Sequence, residues 1–383
     1  MKNKIIIVGV SPLVKRRADV FYVDPLRERG FEVEHCNLSP CIYNLTRYSD
    51  IIDAPYALTF SQLCEFEEYL KKQDIARTIF IVELIRSVQL QPIFTLLRKH
   101  ECFCVRINPN ASDMSDRHPS IINGLVKGCY GIKYLMKYPL RLLKSYISKR
   151  CIDRFDYEIW KCYISSGNNK QIDFHINQDD WLKSKGEIKE VEGLPQKYAV
   201  FCDEYFPYHP DNEQFGLVDK NKVDEIGARY YKLMKDYFDF IEREYNLEVV
   251  IAAHPKSNYH GDEFAGRRII KFKTMELVRH AEFVMLHGSM SIAYSVIFNK
   301  PVALTIVPDI KKIFPYFEHQ VFYSQYFQLP LYDLSIDLEA RPQLVKPELR
   351  EKYIYEYMTS KGIEDKKNID LLEELFSKEI PFQ

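Results

Sequence analysis

The stretch from Glu248 to Pro308 constrains the fold of this chain more than any other. It reads EVVIAAHPKSNYHGDEFAGRRIIKFKTMELVRHAEFVMLHGSMSIAYSVIFNKPVALTIVP. One apolar run closes on His254-Pro255-Lys256, and a short helical segment follows. A second run closes on His287-Gly288-Ser289-Met290-Ser291, and a helix then leads to a third run. Apolar runs without polar alternation fit strands buried on both faces, as in parallel sheets. The two polar turns then lie at the same ends of successive parallel strands, and ligands of open α/β sheets bind outside the carboxyl ends.

The same alternation opens the chain. Lys4–Val10 reads as a buried strand, a helix is expected over Asp19–Arg29 with Gly30 as its C′ glycine, and Phe31–Glu34 begins a second strand. Further helices are expected at Ser61–Lys72 and Pro92–His100, and strands at Thr78–Glu83, Cys102–Ile107, Tyr157–Ser165 and Ile172–Ile176. Lys185–Pro195, glycine-bearing and charged, reads as the linker, after which Tyr198–Cys202 and a long helix over Lys222–Tyr245 restart the pattern. The expected fold class is α/β with two doubly wound Rossmann-like halves. The expected domains are residues 1–194, 195–350 and a C-terminal helical segment 351–383 that could pack back on the first.

Fifty-three basic residues against 54 acidic ones leave a net charge of -1, so no global field recruits nucleic acid. The nine cysteines are odd in number and scattered, which favours buried free thiols in a reducing compartment over a metal site. The amino-terminal IIIVGV run is too short for a secretory h-region, and no run of 18 apolar residues occurs. A cytoplasmic location is expected. Within it, residues 119–150 hold no acid and seven Lys or Arg, with apolar and tyrosine side chains between them. This segment is either a solvated helix pair or a basic surface for anionic membrane through Lys127, Lys133, Lys137, Arg141 and Lys144.

Four groups at strand ends of the second half could carry chemistry. Asp203, Glu204, His209 and Asp211 crowd a proline-stiffened loop after YAVFC, as donor or acceptor contacts or merely as fixtures of the loop's own backbone. His254 precedes Pro255, which keeps it out of the helical region, and Lys256 stands two residues on. Imidazole and ammonium can both donate to phosphate. Lys273 and Thr274 precede a helix, with Thr274 the expected N-cap. His287, Gly288, Ser289 and Ser291 form a turn that could hold an anion, with Met290 expected to pack. The motifs of mononucleotide-binding loops, dinucleotide folds, zinc proteases and α/β-hydrolases are absent, and so is any D-x-D pair. Lys256, Lys273 and Arg267 would therefore have to neutralise phosphate in place of a metal ion.

HPK at one strand end and HGSMS at the next, followed by a helix and NKPV, resemble the GT-B class of glycosyltransferases. The likeness is nearest to bacterial surface-polysaccharide enzymes that use CMP-sugars, the sialyltransferase and Kdo-transferase types, with a His-Pro and a Ser/Thr motif. It covers about residues 195–310, and the first half shares only the layout. The resemblance implies a nucleotide-sugar donor held by the second domain, with His254, Ser289 and Ser291 on its phosphate. It also implies inversion without metal or other cofactor, and a glycan or lipid-linked acceptor in capsule or lipopolysaccharide synthesis. A first-domain group would take the acceptor's proton, with Glu83 leading and Asp113 and Asp19 as rivals. The DEYFPYHPD loop and the histidine of HGSMS fall outside this motif pair. UDP-sugars or a CDP-polyol therefore stay open as donors, as do a nucleotide-sugar 2-epimerase and a non-catalytic binding subunit.

Overall fold

The computed structural model describes residues 3–42, 50–84, 87–108, 159–167, 172–209, 220–260, 262–307 and 318–377. The described residues divide into two compact units, one formed up to Asp179 together with the stretch from Glu356 onward, the other by Asp180–Tyr355. Asp113, Asp211 and the basic segment 119–150 lie outside the described residues.

The first unit is built on seven strands: β1 (Lys4–Gly9), β2 (Glu32–Asn37), β3 (Ala57–Thr59), β4 (Thr78–Glu83), β5 (Cys104–Asn108), β6 (Trp160–Ser166) and β7 (Phe174–Ile176). Their order is β3-β2-β1-β4-β5-β6-β7, and every pairing is parallel. The second unit has β8 (Tyr198–Cys202), β9 (Glu248–Ala253), β10 (Arg268–Lys271), β11 (Val284–Leu286), β12 (Val302–Ile306) and β13 (Leu331–Asp333), ordered β10-β9-β8-β11-β12-β13 and also parallel. Numbered within each unit, both sheets run 3-2-1-4-5-6, with a seventh strand after the sixth in the first, the doubly wound order whose direction reverses between the first and fourth strands. The two Rossmann-like halves expected from the sequence, and from its GT-B resemblance, are both present.

The expected helix over Asp19–Arg29 is two short ones, Lys15–Val20 and Val23–Glu28, because Tyr22 between them is left-handed at φ 54°. Gly30 does close the second, at φ +87°: its N–H donates to Arg27 O and that of Phe31 to Leu26 O, a Schellman pair. Alternation then sorts the strand residues. Ile5, Ile7, Val33, Ile79 and Ile81 share one face with Leu371, Leu372, Leu375 and Phe376, so the helix Asn368–Ser377 completes the core of the first unit. Ile6, Val8, Phe80 and Val82 line the other face, under Phe66 and Phe94. In the second unit the long helix Lys220–Tyr245 buries Tyr230, Met234, Tyr237, Phe238 and Ile241 on Phe201 and Ile251. Fully burying each such side chain contributes roughly 1.5–3 kcal/mol before chain entropy is subtracted.

One core position of the first unit breaks this apolar rule. His35, on the face of Val33, is 1% exposed, and neither of its ring nitrogens has a hydrogen-bond partner. An unmet buried polar group costs about 1–3 kcal/mol. Of the described cysteines all seven are free, and among the described residues no helix is long and apolar enough to cross a membrane.

Candidate functional site at the second switch point

The carboxyl ends of β9 and β11 carry the HPK and HGSMS turns, but these strands are not neighbours: β8 lies between them. That corrects the placement on successive strands expected from sequence, since β10 intervenes in the chain, and it gives the loop after β8 a central position. Asp203 and Glu204 directly follow β8, and their side chains reach to opposite sides of it. Asp203 Oδ2 accepts the backbone N–H of His254 at 3.2 Å and the Tyr259 hydroxyl at 2.7 Å, while its Oδ1 accepts Tyr205 N–H at 2.9 Å. Glu204 Oε1 accepts the N–H of Gly288 at 2.6 Å. Two carboxylates thus tie the middle strand to both turns.

Burial is the main cause that raises both groups, Asp203 to about 6 and Glu204 to about 8. The hydrogen bonds that each accepts pull in the opposite direction, and for Glu204 the charge of Asp203 adds to the rise. The HGSMS turn has no carboxylate of its own and is met by one from the loop after β8. An anion entering there must displace Glu204 or meet it protonated.

His254 is half-buried, and its Nδ1 accepts the N–H of Lys256 at 3.2 Å. The ring proton then resides on Nε2, which makes that nitrogen the donor. The ring of His209 stands edge-to-face on it, with centroids 4.7 Å apart. Pro255 and Lys256 are exposed beside it.

His287 has a different part. It is 1% exposed, packed against Phe201 and Tyr230; Nδ1 donates to Thr305 O at 3.0 Å, and Nε2 then accepts the Tyr230 hydroxyl at 3.2 Å. Burial lowers it to about 4, so it is a neutral strut that fixes the turn from beneath. Gly288 also serves packing, for a Cβ there would meet the Gln320 side chain at 3.0 Å and His319 Cβ at 3.1 Å. Ser289 Oγ accepts Ser291 N–H at 3.2 Å and donates to Ser291 Oγ at 3.1 Å, which orients both hydroxyls. Met290, expected to pack, is 52% exposed.

Past β10, which the sequence reading did not resolve as a strand, Phe272 is left-handed at φ 61° and 72% exposed. Strained backbone under an exposed aromatic ring is a mark of functional surface. Lys273 occupies the cap position, and Thr274 is the first helical residue without a side-chain cap bond, so the expected threonine cap is not made. Lys273 pairs with Glu276 at 2.9 Å. Phe272, Thr274, Glu276, Tyr294, Asp180 and Lys189 line a cavity of about 580 Å³ within the second unit. Arg267 lies at the opposite end of β10, where it binds Asp239 and Glu242, each at 2.6 Å, and so takes no part in the site.

In the first unit Glu83 ends β4 and is engaged by the Arg17 guanidinium, while Asp19 is exposed and bound to Lys15 at 3.1 Å. Among the described residues no group of three or more His, Cys, Asp or Glu is placed to hold a metal ion.

No family model and no curated protein matches the sequence. Among solved structures, Acinetobacter baumannii MurG is similar with a TM-score of 0.43 and 9% identity, over 98% of this chain and 100% of that one. The MnaA–UDP structure from S. aureus has a TM-score of 0.43 and 10% identity, over 98% and 97%. The glycosyltransferase SnogD from Streptomyces nogalater has 0.41 and 10%, over 92% and 94%. At such scores and identities these likenesses have no bearing on substrate or activity.

Proposed function

We propose that the second unit binds a nucleotide-sugar through its diphosphate or monophosphate and that the chain transfers the sugar, with inversion and without a metal ion, to a glycan or lipid-linked acceptor. The observation that carries this reading is the fixed tautomer of His254. Its Nδ1 is occupied by the Lys256 amide, so Nε2 presents a proton at the carboxyl edge of the sheet, beside the strand whose other neighbour ends in oriented serines. Donors held in place before the reaction stabilise charge as it develops on a leaving phosphate. The left-handed Phe272 supplies a face for a nucleobase at the rim of the cavity, and Glu276 an acceptor for ribose hydroxyls.

A CMP-sugar is the favoured donor, because the His-Pro and serine pair is the motif that resembles the CMP-sugar enzymes. Glu83 is the first-unit carboxylate that receives the acceptor's hydroxyl. The setting is surface-polysaccharide synthesis at the inner face of a membrane, with Lys127, Lys133, Lys137, Arg141 and Lys144 toward anionic lipid. Changing these five to glutamine lowers binding to anionic vesicles if that attribution holds.

The test of the reading is a thermal-shift panel with CMP, CDP, UMP, UDP and GDP, with and without magnesium, on wild type and His254→Ala. Stabilisation by one nucleotide, independent of magnesium and lost in the variant, supports it. Silence across the panel overturns it, and turnover of UDP-N-acetylhexosamine without acceptor replaces transfer by epimerisation.

A further inference from the structure

The first unit has its own switch point, between β1 and β4, with a buried histidine beside it. Gly9 ends β1 and is the register partner of Glu83 at the end of β4, while His35 on β2 pairs in register with Ile7. Residues 5, 7 and 9 of β1, 33 and 35 of β2, and 79, 81 and 83 of β4 share one face by alternation. Three polar groups converge above Gly9 on that face. A Cβ placed at Gly9 would lie 3.3 Å from Arg17 Nη1, 3.7 Å from Glu83 Oε2 and 3.9 Å from His35 Nε2. The missing side chain is thus the centre of a small polar cradle.

The cradle has a floor and a cover. His35 is 1% exposed, and both its ring nitrogens lack partners. The Arg17–Glu83 ion pair above it has side chains 22% and 40% exposed. Burial, and then the charge of Arg17, lower His35 to about 4, so its imidazole is neutral at ordinary pH and can accept one hydrogen bond while donating another. A core that needed only filling at this position would use an aliphatic residue, as Val33 does one step along the same face. An orphaned imidazole facing a missing side chain, at the strand ends where doubly wound sheets bind ligands, indicates that the partner comes from outside the chain.

The charges say which partner. Glu83 opposes an anion at this point, and Arg17 opposes a cation. A guanidinium donor, a carboxylate acceptor and a neutral imidazole together suit vicinal hydroxyls, each of which both donates and accepts. We infer that Gly9, Arg17, His35 and Glu83 form a binding site for an uncharged polyhydroxylated ligand, a sugar ring, with a hydroxyl hydrogen-bonded to the buried imidazole. That this sugar is the acceptor rests on the glycosyl-transfer reading; that it binds does not.

The experiment is an NMR titration of the full-length, ¹⁵N-labelled chain, following the long-range ¹H–¹⁵N imidazole signals, with His35 assigned from its loss in His35→Gln. The probes are methyl glucopyranoside, galactopyranoside and mannopyranoside in both anomeric forms, with acetate and methylammonium as charged controls. The expected result is a saturable shift of the His35 nitrogens with at least one glycoside in the millimolar range, weakened severalfold in Glu83→Gln and absent with both ions. A His35 signal unmoved by every glycoside at tens of millimolar, or moved equally by either ion, overturns the inference. His35→Leu separates binding from a structural role. A melting temperature equal to or above wild type, with the glycoside response of the remaining signals gone, supports the site. A lower melting temperature with that response intact overturns it. No nucleotide is present in these titrations, so failure here leaves the nucleotide panel unaffected, and the reverse also holds.

Discussion

Both sheets place their first and fourth strands side by side, β1 with β4 and β8 with β11, yet the two switch points are finished in different ways. At β1/β4 an arginine and a glutamate pair above a neutral imidazole with no partner, and a glycine lets the three groups converge to within 3.3–3.9 Å of where its Cβ would be. At β8/β11 the two turns are tied by the chain's own groups: Asp203 holds the His254 turn, Glu204 holds the Gly288 turn, and His287 has both nitrogens bonded. The same backbone order therefore yields one site with an unpartnered imidazole and one whose turn amides are held by its own carboxylates. The first recruits hydroxyls. The second must exchange or neutralise a carboxylate before it accepts a phosphate.

Removing the tie that makes the second site self-satisfied should have the largest effect. Asp203→Ala leaves the His254 and Tyr205 amides and the Tyr259 hydroxyl without their acceptor. A loss of about 2–4 kcal/mol is expected, read as a lower urea midpoint with unchanged slope. A loss below roughly 1 kcal/mol, at the scale of a surface change, would mean that the turns are held without this carboxylate.

His254→Ala comes next and acts on ligand response instead of fold. A nucleotide at a hundred times its dissociation constant adds about 2.7 kcal/mol to wild-type stability, and most of that increment should vanish in the variant. Without nucleotide the two proteins should melt close together, because His254 is half-buried and its bond to the Lys256 amide spans only two residues.

These two residues show what sequence reading reaches. The ends of β8, β9 and β11 were legible because each apolar run stops at a polar turn, and His254 stood out through the proline after it. The order β9-β8-β11 was not legible, since strand pairing is a long-range choice that no local pattern records. The roles of Asp203 and Glu204 depend on that order, and so they read only as members of a stiff loop. His287 had the same local look as His254, and only tertiary packing makes one a buried strut and the other a half-exposed donor. β10 leaves no mark in the sequence, because four residues of partly exposed edge strand resemble a helical approach. His35, inside EVEHCN, carried no signal, for its meaning lies in what faces it across β1.

Glu204 gives the comparison a pH axis. Its ordinary value is near 4.5 and its value in the folded chain is raised to about 8. Between these values the folded state keeps a proton that the unfolded chain has lost, so this group's contribution to stability falls as pH rises across that window. Phosphate competes with the same carboxylate. Above about 8, nucleotide affinity should drop by up to tenfold per pH unit, the effect of one proton worth about 1.4 kcal/mol. Glu204→Gln should flatten both profiles while keeping an acceptor for the Gly288 amide. An affinity profile that keeps its full slope in Glu204→Gln would assign the titration elsewhere, with Asp203 the next carboxylate to test.

The smallest expected effect lies in the two switch-point glycines, whose reasons for being glycine differ. At Gly288 a new methyl would meet a buried Gln320 side chain at 3.0 Å and His319 Cβ at 3.1 Å, parts of a packed helix with little room to retreat. At Gly9 it would meet first the Arg17 guanidinium at 3.3 Å, the far end of a flexible and partly exposed side chain. Overpacking a rigid neighbour costs about 1–3 kcal/mol, whereas the far end of an arginine side chain can shift with its ion pair at a cost nearer the roughly 0.5 kcal/mol of ordinary surface substitutions. Gly288→Ala should therefore lower the melting temperature by several degrees and Gly9→Ala by about one or two. The binding effects should run the other way: Gly9→Ala fills the centre of the cradle and abolishes the glycoside response of His35, while Gly288→Ala, once folded, keeps the amide that any phosphate would use. Equal stability losses with both responses preserved would reduce the two glycines to packing positions and remove the distinction between an unfilled site and a self-filled one.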